Sequence, residues 1–378
     1  MTYQEQQNAK RTEKIRDMLK LLPVACSDFI RSLTMTTSPL TRMAYTIDLG
    51  VFFDYVMKEL PHFAEKKLLE LSDADIALLT ARDIHGYTDY LTLYYKEENK
   101  DTDEPNQKIL RNNEQGVMRK LSTLRSFFDY LYKAERISGN VASLISLPKL
   151  HEKPILYLQG DEIKRLLETT FSGEELTDGQ KRFHKATQAR DYAILMLFLG
   201  TGIRVSECVG LDVGDLDFEL NALLVTRKGG NQVILYFPDE VAAALKAYLE
   251  HRKTINPKAG HENALFFSLQ NRRITQRAVQ NMVKKYSLLA VPLKKKMSPH
   301  KLRSTYATQL YQETEDIYLV AEALGHSDVN TTRKHYAAMS DRRRREAAQN
   351  VHLPLQTADV QAVSDEHETE NDQKNIEK

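Results

Sequence analysis

Cysteine is scarce in this chain, long apolar runs are missing, and net charge is close to zero; each shortage narrows what the protein can be. Cys26 and Cys208 stand far apart, without metal-ligand spacing, which excludes a disulfide scaffold and a cysteine-built metal site and predicts reduced thiols. The longest apolar run, Ala193 to Leu199, falls far short of the roughly 20 residues a membrane span needs. The first twenty residues are polar and charged, so no secretory signal is expected and the cytoplasm is the expected location. No internal repeat stands out. Gly229-Gly230 reads as a turn, not as a nucleotide-binding loop.

Near-neutrality, at +1 overall, would argue weakly against nucleic acid, but the charge is unevenly placed. Residues 357–378 carry seven acidic side chains against two lysines, a net of −5, which leaves +6 for the rest of the chain. A modestly basic body with an acidic tail is compatible with DNA, because phosphate neutralisation depends on local patches. The tail has no aromatics, so it is expected to stay disordered.

With 42% hydrophobic residues over 378 positions, there is material for two domains with real cores. After a polar segment at 1–20, residues 21–148 read as almost wholly helical. Ser38-Pro39 starts one helix, with serine as cap and proline in the first turn. Its apolar residues include Ala44, Tyr45, Ile47, Leu49, Phe52, Phe53 and Val56. Further helices are expected over Asp73 to Tyr95 and Glu114 to Lys133, with a charged loop from Lys96 to Lys108 between them. Pro148 and Pro154 frame an extended linker at 149–159. The second part, 160–355, mixes types. Ala222 to Thr226 and Gln232 to Phe237 form a hairpin across Arg227-Lys228-Gly229-Gly230-Asn231. Helices are expected at Asp161 to Thr169, Arg190 to Leu199, Asp239 to Arg252, Gln276 to Leu289 and Pro299 to Tyr311. Residues 356–378 are the acidic tail.

Cleaving a phosphodiester without metal needs few groups, each of a definite type. Arginine suits the non-bridging oxygens, because its planar fork gives two hydrogen bonds and keeps its charge. Lysine or histidine suits the proton transfers, and tyrosine can store the bond as a covalent phosphodiester. The chain offers Arg204 in a glycine-bearing turn, Lys228 in the hairpin, His300 and Arg303 at a helix start, His326 after Leu324-Gly325, and Tyr336. Each alone has an ordinary reading. Arg204 could be a surface arginine, Lys228 a solvated turn residue with Lys301 and Lys294 to Lys296 as rivals, and His300 a helix-opening histidine. Leu324-Gly325 could simply end a helix, and Tyr336 is one of 18 tyrosines. Their joint order is what carries weight.

The segments Gly200-Thr201-Gly202-Ile203-Arg204-Val205-Ser206-Glu207, Thr226-Arg227-Lys228-Gly229-Gly230, Ser298-Pro299-His300-Lys301-Leu302-Arg303 and Leu324-Gly325-His326-Ser327, closed by Tyr336, resemble the tyrosine recombinases of the Xer/phage-integrase family. The stretch from Val117 to Leu131 resembles the last long helix of that family's core-binding domain, and Asn140 with Leu147-Pro148-Lys149 its exit. The resemblance spans roughly residues 25 to 350. Arg227-Lys228-Gly229-Gly230 and the overall length resemble the single-protein Xer type of some Gram-positive bacteria.

The resemblance implies a mainly α protein of two domains, a helical core-binding (SAM-like) domain and an α+β catalytic domain with a small antiparallel sheet, closing on DNA as a C-shaped clamp. It implies that Tyr336 attacks the scissile phosphate to give a 3′-phosphotyrosyl link. Arg204 and Arg303 would clamp the oxygens, Lys228 would protonate the leaving 5′ oxygen, and His300 would manage the tyrosine proton. His326 would add a hydrogen bond, and Glu207 would orient the site. Family members usually place the second histidine and the tyrosine nine residues apart; here the separation is ten, and no other tyrosine follows His326. Asn231 stands where many relatives have a second lysine, which favours Lys228 as the acid. The resemblance also implies a homotetramer on paired sites in double-stranded DNA, a Holliday junction and no cofactor or metal, and it admits a DNA translocase as partner.

Arg42, Arg119 and Arg125 are candidates for phosphate contacts that position without reading sequence. The run Arg342 to Arg345 could be a solvated face or a DNA or subunit contact. Chromosome dimer resolution and integration or excision of a mobile element both fit. A type IB topoisomerase or an inactive DNA-binding regulator are the readings from other classes.

Overall fold

The structure is a computed structural model that describes residues 2–97, 107–148, 155–227, 230–325 and 328–329. The expected class holds: helices dominate, with small antiparallel sheets. The chain divides into two compact units, Met1–Pro154 with Lys228–Gly230, and Ile155–Arg227 with Asn231–Lys378.

The first unit contains α1 (Tyr3–Leu19), α2 (Val24–Ser32), α3 (Pro39–Glu59), α4 (Asp73–Ala77), α5 (Ala81–Thr92), the antiparallel strands β1 (Tyr94–Glu97) and β2 (Gln107–Leu110), and α6 (Glu114–Lys133). Helix α3 starts as its sequence dictates: the Ser38 side chain accepts from the Thr41 amide, and Pro39 sits where no amide hydrogen is needed. Its buried face carries Leu49, Phe52, Phe53 and Val56, while Ile47 is exposed. On α6, Leu124, Phe127, Phe128 and Leu131 repeat at helical spacing and are all buried. The two helices meet through aromatic edges, with Phe53 and Phe127 centroids 6.1 Å apart at 82°. A polar link sits in the same interface: Asp48, fully buried on α3, accepts from Thr123 at 3.0 Å and pairs with Arg119. Burial raises the Asp48 carboxyl, and the charges of Arg119 and Lys120 work against that rise.

Three stretches differ from expectation here. The first residues are not merely a polar segment, because α1 runs through them and packs on α3. Its start is a reciprocal cap, Thr2 and Glu5 each bonding the other's backbone amide. The single helix expected over Asp73 to Tyr95 is two helices followed by a strand. Ser72 with Asp75, and Thr80 with Asp83, each form a complete capping box, so the chain is told to start a helix twice. Strands β1 and β2 also take up the ends of the stretch expected as a loop, pairing from Tyr94 with Leu110 to Glu97 with Gln107.

In the second unit, α8 (Asp178–Thr201) follows α7 (Gly160–Ser172) and precedes the single turn α9 (Val205–Cys208). A three-stranded antiparallel sheet comes next, β3 (Leu216–Asp217), β4 (Ala222–Thr226) and β5 (Gln232–Tyr236), in that order across the sheet. The short β3 was not expected. Then come α10 (Asp239–Lys253), α11 (Gln276–Ala290), α12 (Pro299–Thr314) and α13 (Ile317–Leu324). Helix α8 is the hub: Ile194, Leu195, Leu197 and Phe198 are fully buried, and α7, α10 and α12 pack around it. The stretch entering this unit is fastened to α12, because the Leu158 amide donates to the buried Thr305 hydroxyl at 3.0 Å. Lys294 adds a bond to the Tyr157 carbonyl at 2.7 Å. Among the described residues no helix is long and apolar enough to cross a membrane.

Candidate active site

Helix α8 ends at Gly202 in the left-handed region (φ +60°), a conformation that suits glycine, and a Cβ there would run into the Tyr306 ring. That turn delivers Arg204 to the mouth of α9. Glu207, one turn on, bonds both ends of this arginine: Oε2 accepts from the Arg204 amide and Oε1 from its Nη1, each at 2.9 Å. Glu207 is buried, so the arrangement fixes the direction of the guanidinium as well as pairing its charge.

Helix α12 begins at Pro299 and puts His300, exposed, in its first turn and Arg303, buried at 5% exposure, one turn later. Arg303 bridges two elements, donating from Nη1 to the Gly202 carbonyl and from Nη2 to the Leu324 carbonyl. Arg204 reaches the same place, with Nη2 3.1 Å from the Leu324 oxygen and 3.4 Å from that of Gly325. The last carbonyls of a helix lack partners within it and carry the negative end of its dipole. At the end of α13 those orphan oxygens are satisfied by arginines. A guanidinium has five N–H donors, so two bonds to carbonyls hold its plane and leave donors over.

A third arginine joins them. Arg227, at the end of β4, donates from Nη2 to the Ala323 carbonyl at 3.1 Å. Its neighbour Lys228 was singled out from the sequence and Arg227 was not. The only hint lay in its place within Arg227-Lys228-Gly229-Gly230, and its contact with α13 depends on a fold that brings together residues 96 apart. The charged neighbours acting on Arg303 are therefore two cations, Arg204 and Arg227, and one carboxylate, Glu207. Burial first, then the like charge of Arg204, push the Arg303 pKa down to about 10; Glu207 opposes and Arg227 adds. Burial likewise lowers Arg227, with Glu207 opposing and Arg204 adding. Three guanidiniums around one carboxylate make a site short of negative charge, and a phosphate would supply it.

Thus Arg204, Glu207 and Arg303 are brought together, and His300 shares a helix with Arg303. Lys228, His326, Tyr336 and the run Arg342 to Arg345 lie outside the described residues. The three arginines suggested for phosphate contact have partners within the first unit. Arg42 donates to the Thr34 hydroxyl at 3.2 Å, Arg119 pairs with Asp48, and Arg125 donates to the carbonyls of Ala142 and Ile145. Both cysteines are buried, and burial pushes their thiols well above the usual range. Among the described residues no trio of histidine, cysteine, aspartate or glutamate is placed to hold a metal ion.

Residues 157–343 match the phage integrase family. The tyrosine recombinase XerC of Caldanaerobacter subterraneus subsp. tengcongensis is 34% identical over 317 residues, covering 82% of this chain and 81% of that one. XerC of Chlorobaculum tepidum is 31% identical over 329 residues, 84% of this chain and 90% of that one. Among solved structures, a post-cleavage complex of the XerH site-specific recombinase with a palindromic difH substrate superposes with a TM-score of 0.58. It is 22% identical, over 82% of this chain and 80% of that one. A lambda integrase dimer bound to a COC′ core site gives 0.54 at 14% identity, over 82% of this chain and 94% of that one. At those identities the structural likeness is one of fold.

Proposed function

Because this chain belongs to the phage integrase family of tyrosine recombinases, we propose that it cuts and rejoins paired specific DNA sites through a bond between Tyr336 and a 3′ phosphate. The observation that carries this reading is the shared Leu324 carbonyl, which aims Arg204 and Arg303 at one point in a site short of negative charge. In the reaction the Tyr336 oxygen attacks phosphorus while His300 takes its proton. Arg204 and Arg303 receive the charge that builds on the non-bridging oxygens. The 5′ oxygen leaves as a hydroxyl with a proton from Lys228, and His326 adds a hydrogen bond to the phosphate. Attack by another strand's 5′ hydroxyl reverses these transfers and rejoins the DNA.

Residues 21–148 serve as the core DNA-binding domain and 160–355 as the catalytic domain, with Arg42, Arg119 and Arg125 near the DNA backbone. Four protomers act on two sites through a Holliday junction in the cytoplasm. The task is resolution of chromosome dimers, a reading supported by the likeness to XerC proteins. The test is a suicide duplex, nicked beside the candidate crossover and drawn from the protein's own genome, run on denaturing gels. Wild type forms a protein–DNA adduct, and Tyr336→Phe forms none. A native-gel shift of that duplex without any wild-type adduct would establish an inactive binder instead.

A further inference from the structure

Helix α13 ends at Gly325, again left-handed (φ +59°), and one side chain lies across that turn. A Cβ placed on Gly325 would overlap Nη1 and Cζ of Arg227 and stand 2.9 Å from its Nε. The same guanidinium bonds the Ala323 carbonyl at 3.1 Å, and its Nε is buried without a hydrogen-bond partner. At the other end, the Arg227 amide donates to the Asn231 carbonyl at 2.7 Å, which closes the hairpin. One residue thus fixes both the end of β4 and the end of α13. The residue after Arg227 is Lys228, and the residue after Gly325 is His326.

We propose that Arg227 is a positioning residue, a clasp that ties the end of β4 to the end of α13, each one residue short of a group the reaction uses. The proposal rests on the recombinase reading and deepens it. Arginine is needed because only a planar fork can lie flat on a residue without a side chain while donating along its edge. Glycine is needed at 325 for its backbone angle and for the room it leaves. Arg204 and Arg303 bond the adjoining carbonyls, so the clasp completes the set of partners at the end of α13.

The experiment uses the full-length protein on the suicide duplex described above, with Arg227→Ala, Gly325→Ala and the double variant. Each is assayed for binding on native gels, for adduct formation rate and for thermal melting. A second duplex carries a methylphosphonate at the scissile position, which removes the phosphate's charge. Misplacing reacting groups by about 1 Å costs on the order of 100-fold, so Arg227→Ala should form adduct about 100-fold more slowly at saturating protein, with any loss of duplex affinity far smaller than that. Gly325→Ala should slow the reaction similarly, because it displaces the same guanidinium. The double variant should be little worse than either single one, the signature of residues acting through one contact. The Arg227→Ala defect should persist on the methylphosphonate duplex. Rescue there would make Arg227 a phosphate-contacting group and overturn the clasp, as would wild-type rates for Arg227→Ala. An Arg227→Ala protein that melts far below wild type would overturn it too, by assigning Arg227 to stability, unless Gly325→Ala melts normally and still reproduces the slow cleavage. No adduct from wild type itself would sink the recombinase reading and this one with it.

Discussion

Leu324 contributes one carbonyl oxygen, and both Arg204 and Arg303 donate to it. That sharing sets a demand on residue type that charge alone cannot meet. A lysine at 303 keeps the charge but cannot span the carbonyls of Gly202 and Leu324 together. Arg303→Lys should therefore keep duplex binding and lose adduct formation by about 100-fold or more, in the range seen when one transition-state donor is removed. Equal rates for the variant and wild type would remove Arg303 from the clamp. Glu207 was expected only to orient the site; its bonds to Arg204 follow from a separation of three residues, which puts both on one side of a helical turn. Arg303 was reached through the resemblance of Ser298-Pro299-His300-Lys301-Leu302-Arg303 to the family's motif. What the sequence did not disclose was the acceptor side of the site, because main-chain carbonyls leave no mark in residue identity. Arg227 went unnoticed for the same reason.

Among the elements, the helices with clear apolar spacing were readable, and α6 runs from Glu114 to Lys133 as expected. Errors gathered where polar caps, not apolar periodicity, decide the boundary. Helix α1 is mostly polar, so periodicity is silent about it, although Thr2 and Glu5 spell its cap. The break between α4 and α5 is likewise written in Ser72, Asp75, Thr80 and Asp83. These caps have a measurable consequence. Hydrogen bonds from Lys66 first, then from Ser72, hold the Asp75 carboxyl down at about 2, against an ordinary value of 3.8. A depressed carboxyl stabilises the fold above its unfolded pKa, and that contribution is lost as pH falls toward the folded one. Asp75→Asn should therefore cost about 1 kcal/mol at neutral pH, the usual worth of a cap. In urea titrations the gap from wild type should stay constant down to about pH 4 and close below it. A gap independent of pH would show that the carboxylate charge contributes nothing.

For the whole molecule, charge is divided along the chain more sharply than its total of +1 conveys. Removing residues 357–378 takes away a net −5 and leaves +6. The shortened protein should bind non-specific duplex more tightly at low salt. The advantage should fade as the screening length falls from about 10 Å at 0.1 M to about 3 Å at 1 M. Filter binding across a salt series would check this, and identical curves would mean the tail's charge never reaches the DNA surface. The anchoring of the chain that enters the second unit was not expected. The Thr305 hydroxyl gives no sign in sequence that it will accept the Leu158 amide.

That anchor has a mechanical side. Thr305 lies two residues beyond Arg303 on α12, and the backbone at Leu158 hangs from its hydroxyl. Any tension carried along the chain through Ile155 is borne by this joint before it reaches α7. The helix at this joint also carries Arg303, so a pull at Leu158 would be felt on α12 close to that arginine. Thr305→Val would cut that tie while leaving the bonds of Arg303 to the Gly202 and Leu324 carbonyls in place.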